Sequence, residues 1–480
     1  MTAPELGAES PSLSEWLDRI RQVLPAGLEI YLVGGAVRDR LLGVVSHDLD
    51  FVLPGDAPRI ARRVANALRG AYYLLDGERG TGRVVLNAQT RCPVVLDFSR
   101  LRGPDLDSDL RARDFTINAM AIPLEREGEL IDPLGGREDL AHRRLRACSA
   151  HSFQDDPLRI LRAFRLANDF SLEIGADLLH AMQACVLLLP GVSAERRRDE
   201  LFKILESLSP ENSLRHLVNL RAAEASFPGL GGDEHGWMAA IDRCADLSAV
   251  IHALTRGAPM EPGGSDLHAP LEQFHDRLPD HLSFQHVSQR TICGLLYFGA
   301  VYQGYVGIPE KGQPDTGAVD YPRKHTLVDS AGRRLALSNP EIERWKKADW
   351  GAQWIFWQAV HDLAPGPREI YRYYKETGPA GVDGCLLALA ALFRREAPEA
   401  FLAALKITRD LFAAWWETPD RSVNPPTLLD GSDLQRDFGL TPGPLLGRVL
   451  EEIRESQVEG RVEDRSQAEA LVRKWVNDRR

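Results

Sequence analysis

The chain has 480 residues, which is too long for one ordinary hydrophobic core, so about two to four domains are expected. Hydrophobic residues make up 44% of the chain and charged residues 26%, a composition typical of globular proteins rather than disordered ones. The formal net charge of -11 excludes a protein that coats nucleic acid through its overall charge, and leaves only local basic patches for such binding.

The first predicted elements are a strand and a short helix, joined by a glycine pair. An alternating, mostly apolar stretch predicts a strand before Gly34-Gly35, and the helix that follows is expected to end at Gly43. Free backbone N–H groups at a helix N-terminus form a site for phosphate groups, and Arg38 can add a charge-assisted contact. The sequence therefore predicts a triphosphate site at Gly34, Gly35 and Arg38.

A pair of carboxylates follows on the next predicted strand. Asp48 and Asp50 are two residues apart, and residues at this spacing project from the same face of a strand. Both carboxylates can then hold the same divalent ions, which would activate a 3′-hydroxyl and stabilise a leaving pyrophosphate. A glycine pair alone, or an Asp-x-Asp alone, is more often structural. Both within 17 residues, in this order, favour a nucleotidyl-transfer site.

Two more candidates lie further along the same region. Asp97 stands in an apolar strand, and an unpaired buried carboxylate is costly, so it is expected at a strand end or beside a cation. We take it as a candidate third carboxylate beside the metal. Arg113 is a candidate phosphate ligand, while Asp114, Thr116 and Asn118 suit either a site or the bracing of a turn.

The segment from Asp155 to Arg165 predicts a helix with Asp156 as its N-cap and Pro157 as its first residue. Arg159 and Arg162 are expected on the same side of this helix as Asp156. A carboxylate accepts from an amino group, and a guanidinium donates to ring nitrogens or carbonyls. Cytosine and adenine offer that pattern, whereas uracil and guanine leave both side chains mispaired. The pair therefore suits CTP and ATP, although a capping Asp with exposed arginines is the structural alternative.

The fold class expected from these patterns is α+β for residues 26–150, followed by helices almost throughout. Gly/Pro-rich breaks are predicted at 228–236, 258–264 and 307–317. The arginine clusters at 143–146, 159–165 and 196–198 are candidate RNA contacts. The predicted strands and helix of the first region are Glu29–Val33, Leu49–Leu53, Arg83–Leu86, Val94–Phe98, Ala119–Ile122 and Pro58–Leu68.

These segments, in this order, resemble the class II tRNA nucleotidyltransferases, or CCA-adding enzymes, and the related bacterial poly(A) polymerases. The resemblance is dense from about residue 30 to 205, and several long motifs at family spacing make a chance match very improbable. The matching segments are Leu32-Val-Gly-Gly-Ala-Val-Arg-Asp39, Asp48-x-Asp50, Arg113-Asp-Phe-Thr-Ile-Asn-Ala119, Ile131-Asp-Pro-Leu-Gly-Gly136, Asp155-Asp-Pro-Leu-Arg159 and Glu195-Arg-Arg-Arg-Asp-Glu-Leu201.

The resemblance implies a polymerase-β-like nucleotidyltransferase head at 26–150, a helical neck with the base-reading motif at 151–225, a helical body at 226–420 and a helical tail facing tRNA at 421–480. It implies that Mg²⁺ is held by Asp48 and Asp50, and that Asp156 and Arg159 select the base. The implied nucleotide-contacting residues are Gly35, Arg38, Arg113, Asp156 and Arg159, supported by Arg162 and Arg165.

Two departures from the family pattern concern the site itself. The base-reading motif usually begins Glu-Asp, whereas this chain has Asp155-Asp156, so the bracing of the pair is expected to differ. An arginine pair is common before Asp-Phe-Thr, whereas this chain has Ala112-Arg113 and so lacks one expected cation.

The second half resembles, more weakly, a C-terminal HD phosphohydrolase domain present in some members. Tyr297 and Phe298 stand where a metal-binding His-Asp is expected, and Ala391 stands where the closing Asp is expected. A metal site without these ligands cannot hold its ion. We therefore expect a degenerate HD-like helical body without phosphohydrolase activity, and regard His275-Asp276 and His361-Asp362 as incidental.

The leading functional hypothesis is a Mg²⁺-dependent enzyme that adds C and A from CTP and ATP to the 3′ end of tRNA. Its rivals are a CC-adding enzyme, an A-adding enzyme and a poly(A) polymerase. A predicted loop between Arg100 and Arg113 is a candidate determinant of this choice. A non-catalytic RNA-binding relative and a phosphohydrolase are alternatives from other classes. No obligate protein partner is implied.

Six scattered cysteines without a Cys-x-x-Cys pair predict reduced thiols and no zinc site. Met1–Ser12 lacks the pattern of a signal peptide, and the longest apolar run, Cys385–Phe393, is too short to span a bilayer. The expected location is therefore the cytoplasm, with no membrane partner.

Overall fold

The computed structural model describes eight stretches of the chain, which form two compact units, Met1–Val192 and Ser193–Arg480. The predicted break at 258–264, most of the break at 307–317, Cys92 and the segment Met1–Ser12 lie outside the described residues. The described residues are 13–77, 80–87, 93–126, 128–256, 269–284, 290–308, 321–394 and 398–477.

The first unit is built on a six-stranded mixed sheet together with a separate two-stranded ribbon. Its strands are β1 (Tyr31–Val33), β2 (Asp48–Leu53), β3 (Ala71–Asp76), β4 (Thr81–Leu86), β5 (Val94–Arg100), β6 (Ala121–Pro123), β7 (Arg144–Leu145) and β8 (Glu173–Ile174). Its helices are α1 (Leu13–Val23), α2 (Gly35–Leu42), α3 (Ala57–Leu68), α4 (Leu106–Arg111), α5 (Gly136–Ala141), α6 (Ser152–Asp155), α7 (Arg159–Asp169) and α8 (Ala176–Cys185).

The sheet order is β3-β4-β5-β2-β1-β6, with β2 and β5 parallel and the other neighbours antiparallel. All five predicted strands and the predicted helix are confirmed, with ends shifted by a few residues. The edge strand β3 was not predicted, although its sequence Ala71-Tyr-Tyr-Leu-Leu-Asp76 is typical of a strand. The α+β prediction for this region is therefore confirmed.

The two faces of the sheet have different roles. One face packs on α1 and α3 through side chains such as Phe51 and Phe98, whose rings stack with centroids 5.0 Å apart. Because side chains alternate along a strand, the residues between them face the opposite side. There a smaller apolar cluster, which includes Val33, Val52 and Leu110, lies beside the polar end of β2. The sheet thus separates its hydrophobic core from a partly polar face.

The second unit is helical throughout the part that the structure describes. Its central helix, Ala380–Leu392, is buried along its whole length. Phe298, of the helix Ile292–Val306, packs against Phe202, Tyr302 and Trp345. The helices are α9 (Ala194–Leu205), α10 (Pro210–Asn219), α11 (Ala223–Ser226), α12 (Glu234–Arg256), α13 (Leu278–Ser283), α14 (Ile292–Val306), α15 (Tyr321–Arg334), α16 (Asn339–Val360), α17 (Pro367–Thr377), α18 (Ala380–Leu392), α19 (Pro398–Trp416), α20 (Pro419–Ser422), α21 (Gly431–Phe438), α22 (Pro444–Val458) and α23 (Arg465–Asn477).

The last three helices have a small hydrophobic core of their own, which includes Leu434, Ile453 and Val472. They are joined to α17 by ion pairs, because the buried Glu455 of α22 accepts from Arg368 and Arg372. This local core agrees with a separate tail, but the four-part division of the chain remains a prediction. No helix among the described residues combines the length and the apolar character needed to cross a membrane.

The positions that correspond to an HD metal site are apolar or aromatic in the structure. Tyr297 and Phe298 are buried in α14, and the Tyr297 hydroxyl lies 3.0 Å from the Ser248 hydroxyl. Ala391 is buried in α18. Across the described stretches, no group of three or more His, Cys, Asp and Glu side chains is placed to hold a metal ion. Tyr297, Phe298 and Ala391 are thus core residues of the second unit, and the absence of phosphohydrolase activity remains a prediction.

Candidate active site

The carboxylate pair lies at the start of β2, on the sheet face opposite the main core. Asp48 and Asp50 lie on the same face of β2 as Val52. Leu49 and Phe51 alternate with them and point into the core. Both acidic residues keep solvent-exposed surface. The predicted same-face arrangement is therefore present, and it leaves the two carboxylates open to a ligand.

Asp97 lies beside Asp50, because the parallel pairing of β2 and β5 places these two residues in register. Its cation partner is Arg83 of β4, whose Nε and Nη2 each donate to one Asp97 oxygen at 2.8 Å. The prediction that Asp97 stands beside a cation is confirmed. Its role as a third carboxylate remains a prediction, since Arg83 already occupies both oxygens.

The electrostatics of this face are set by the three neighbouring acids. The pKa of Asp50 is raised to about 6, first because protein displaces part of its water and then because Asp97 and Asp48 are negative; Arg113 and Arg83 oppose the shift. Clustered carboxylates that repel one another are relieved by a cation. Mg²⁺ is commonly held by one or two carboxylates together with substrate phosphates, so Asp48 and Asp50 fit this ion.

The glycine turn contacts this carboxylate site directly. Gly34 has φ +74°, a conformation that favours glycine, and it precedes the first residue of α2. A Cβ on Gly34 would lie 3.2 Å from Asp50 Oδ2 and 3.3 Å from Arg113 Nη1. The absence of a side chain on Gly34 thus lets the turn, Asp50 and Arg113 approach one another. Helix α2 ends at Gly43, as predicted.

Arg38 is buried, with only 8% of its surface exposed, and its guanidinium is held on several sides. Nε and Nη2 donate to Asp39 Oδ1 at 3.0 and 2.7 Å, and Nη1 donates to Asn118 Oδ1 at 2.7 Å. The ring of Phe170 lies 4.0 Å from the guanidinium carbon. Loss of water on burial lowers the pKa of Arg38, and Asp39 opposes that shift.

Arg113 is held by a buried carboxylate of α4. Its Nε and Nη2 donate to Oδ2 of the fully buried Asp109 at 3.1 and 3.0 Å, while its Nη1 points at Gly34. Asp109 itself belongs to α4, so half of the predicted loop between Arg100 and Arg113 is a helix. This short helix therefore orients Arg113 toward the glycine turn.

A chain of hydrogen bonds joins α7 to this region. Arg162 donates to Asp114 Oδ2 from Nε and Nη2 at 2.9 and 2.6 Å, and Asn118 donates to Asp114 Oδ1 at 3.2 Å. Burial would raise the pKa of Asp114, but Arg162 and the hydrogen bonds together lower it. Since Asn118 also accepts from Arg38, the polar residues of the Asp-Phe-Thr motif brace the site from within.

The start of α7 differs from the prediction. Asp156 is extended and follows α6, and its side chain accepts from the Leu158 N–H at 3.3 Å, so it is not the N-cap of α7. The first N–H groups bond three residues back, Arg159 to Asp156 at 3.1 Å and Ile160 to Pro157 at 3.0 Å. This tighter turn delays the α-helix, which begins at Arg159 with Leu158 as its N-cap.

The arginines of α7 have different surroundings. Arg159 Nη1 lies 2.8 Å from the Ser152 hydroxyl, and Nη2 donates to the Ala112 carbonyl at 2.8 Å. Arg165 bonds to Asp169 at 3.3 Å, one turn further along. Leu161 and Phe164 are buried, as predicted. The Arg159 guanidinium is thus held by Ser152 and by Ala112, the position where the family often has a second arginine.

Other arginines predicted to contact RNA have protein partners within their own unit. In the cluster at 196–198, Arg197 donates to the Ala225 carbonyl and Arg198 to the Ala336 carbonyl. In the cluster at 143–146, Arg146 pairs with the buried Asp139. These bonds give such arginines structural roles within their own units.

Comparison with known proteins agrees with this geometry. The pattern of the poly A polymerase head domain matches residues 30–146, and that of the probable RNA and SrmB-binding site of polymerase A matches residues 171–231. A CC-adding tRNA nucleotidyltransferase of Geobacter sulfurreducens is 31% identical over 98% of this chain and 96% of its own length. An A-adding tRNA nucleotidyltransferase of Deinococcus radiodurans is 32% identical, over 93% and 95%.

The fold is also that of solved structures in this group. A Thermotoga maritima CCA-adding enzyme complexed with tRNA superposes with a TM-score of 0.57 at 23% identity, covering 96% of this chain and 95% of that one. A match at this identity supports the fold alone, whereas the two full-length relatives support common descent. The chain is therefore an enzyme of the class II tRNA nucleotidyltransferase and bacterial poly(A) polymerase family.

Proposed function

We propose that this enzyme adds C and A from CTP and ATP to the 3′ end of tRNA, without a nucleic-acid template and with Mg²⁺. The observation that carries the proposal is the meeting of Gly34, Asp50 and Arg113 at one point of the head. A triphosphate turn and a pair of metal-side carboxylates in contact are what nucleotidyl transfer needs.

In this proposal the triphosphate lies on the glycine turn, with Gly34 and Gly35 presenting backbone N–H groups and Arg38 and Arg113 supplying positive charge. Asp48 and Asp50 would hold Mg²⁺, which supplies Lewis acidity for attack by the 3′-hydroxyl and for loss of pyrophosphate. Because the surrounding protein already fixes Arg113 and Arg38, little reorganisation is required of them when the nucleotide binds.

Base choice is assigned to Asp156 and Arg159. The carboxylate would accept from the amino group of cytosine or adenine, and the guanidinium would donate to the adjacent ring acceptors. Arg162 and Arg165 lie further along α7, and Arg162 supports the site through Asp114. Uracil and guanine leave both side chains mispaired, which is a strong basis for rejection. The helical neck, body and tail at 151–225, 226–420 and 421–480 would receive the tRNA.

A CC-adding or A-adding activity is the second candidate. It is supported by the names of the two full-length relatives, which are a CC-adding and an A-adding tRNA nucleotidyltransferase. Both partial activities use the same catalytic carboxylates and the same base-reading pair, so the residues described above suit either reaction.

The decisive experiment supplies three tRNA transcripts, ending at the discriminator base, at C and at CC, each with CTP alone, ATP alone or both. Full CCA addition to the first transcript is the expected result, with products resolved at single-nucleotide length. Addition to the CC-ended transcript alone would identify an A-adding enzyme, and arrest after CC would identify a CC-adding enzyme. Long A tails on unstructured RNA would identify a poly(A) polymerase and overturn the proposal.

The role of Asp97 is tested by its pairing with Arg83. Asp97→Asn is expected to lower kcat by about a hundredfold if the carboxylate acts beside the metal. The double variant Arg83→Met/Asp97→Asn removes the ion pair together with its charges, and the same loss of kcat is expected. Recovery of kcat in the double variant would mean that Asp97 serves only to neutralise Arg83.

A further inference from the structure

Phe170, directly after α7, is the side chain that covers the phosphate-site arginine. Its ring centroid lies 4.0 Å from the guanidinium carbon of Arg38, close enough for a strong cation–π contact. Phe170 follows the last residue of α7 and keeps part of its surface exposed, so burial in the core does not account for its position. The face of the Phe170 ring instead contacts the guanidinium of Arg38.

The side-chain hydrogen bonds of Arg38 lie at the edges of its guanidinium. Asp39 and Asn118 accept from Nε, Nη1 and Nη2, which restrains rotation within the plane but leaves the tilt of the plane to other contacts. Arg38 has also lost most of its water, since only 8% of its surface is exposed. Phe170 therefore provides the contact over the flat face of a largely dehydrated cation.

Helix α7 reaches Arg38 by a second path. Arg162, two turns before Phe170, holds Asp114, which accepts from Asn118, which in turn accepts from Arg38. The same helix begins at Arg159, the proposed base-reading residue. One rigid helix thus carries a base contact at its start and two connections to the phosphate-site arginine further along.

We propose that Phe170 is a positioning residue for Arg38, and that α7 thereby ties base reading to the placement of the triphosphate. This inference rests on the proposed function, in which Arg38 binds the triphosphate. It predicts that Phe170 affects the binding of nucleotides only when they carry phosphates. It also predicts that the effect of Phe170 disappears once Arg38 is removed.

The test compares Phe170→Leu, which removes the aromatic face, with the matched control Phe170→Tyr, which keeps it. In the full-length enzyme, Phe170→Leu is expected to raise KM for CTP and for ATP roughly tenfold, with a smaller change in kcat. Equilibrium binding should weaken roughly tenfold for CTP and remain unchanged for cytidine. Phe170→Tyr should behave like the unaltered enzyme. Thermal melting identifies any unfolded variant, and Phe170→Met replaces Phe170→Leu in that case.

Arg38→Met distinguishes the positioning role of Phe170 from the triphosphate-binding role of Arg38. If it weakens CTP binding and adding Phe170→Leu weakens it no further, the positioning role is supported. If Arg38→Met weakens CTP binding while Phe170→Leu alone leaves it unchanged, the positioning role is wrong and the triphosphate role of Arg38 stands. If Arg38→Met leaves CTP binding unchanged, the proposed triphosphate role of Arg38 fails first. Equal weakening of CTP and cytidine by Phe170→Leu would indicate a general structural effect and overturn the inference.

Discussion

Asp50→Ala and Asp48→Ala are each expected to lower kcat by roughly a thousandfold or more, a loss on the order of 4 kcal/mol in transition-state stabilisation. The reason is that the two carboxylates on the exposed face of β2 are the proposed metal ligands, and each is needed to hold the ion beside the triphosphate. The measurement is single-turnover transfer of labelled CMP to a tRNA transcript, at saturating CTP and over a range of Mg²⁺ concentrations.

The matched control for these variants is Glu125→Gln, which neutralises an exposed carboxylate of the same unit outside the site. It should retain the kcat of the unaltered enzyme. Direct titration with Mn²⁺, followed by its electron paramagnetic resonance signal, should show weaker metal binding in the Asp48 and Asp50 variants only. Near-normal kcat in either aspartate variant would contradict the two-carboxylate assignment.

The strand prediction for Asp48 and Asp50 succeeded because it depended on local alternation alone. Side chains two apart share a face wherever the strand lies in the sheet, so no knowledge of its neighbours was needed. The same holds for the glycine turn, since the backbone conformation of Gly34 and the end of α2 at Gly43 follow from nearby sequence. Local patterns were thus enough to predict the α+β character of this region and the positions of the glycine turn and the carboxylate pair.

The partners of these residues could not be predicted in the same way, because they come from distant parts of the chain. Arg83 faces Asp97 only because β4 and β5 pair in a given register. Alternation in β4 predicts that Arg83 lies on the face opposite Val84. It does not predict which strand pairs with β4. Phe170 meets Arg38 only through the tertiary packing of the unit. The sequence therefore predicts which residues the site contains better than what holds them in place.

The capping error at Asp156 has a different cause. Asp followed by Pro is a common start of a helix, and the prediction depended on this local preference alone. A preceding short helix ends at Asp155, and the chain then makes a tight turn before α7 begins. The side chain of Asp156 accepts from the Leu158 N–H at 3.3 Å and does not cap α7.

Arg159→Ala is expected to lower discrimination between CTP and UTP by about a hundredfold, with a much smaller change in tRNA affinity. Arg159 is held by Ser152 and the Ala112 carbonyl, so its guanidinium has a fixed direction rather than a flexible one. When UTP binds, the fixed guanidinium faces an N–H donor of uracil instead of an acceptor and is left without a hydrogen bond. The free-energy cost of this unpaired donor is the basis for rejecting UTP. The ratio of kcat/KM values for CTP and UTP measures it.

The matched control is Arg126→Ala, which removes an exposed arginine of the same unit that pairs with the nearby Glu129 at 2.6 Å. It removes the same charge from the head, so any general electrostatic effect on RNA binding should appear in both variants. Only Arg159→Ala should admit UTP. If both variants lose tRNA affinity equally and keep full rejection of UTP, Arg159 binds RNA backbone and does not read the base. If UTP is admitted at unchanged tRNA affinity, the donor pattern of a single guanidinium takes the place of a template base.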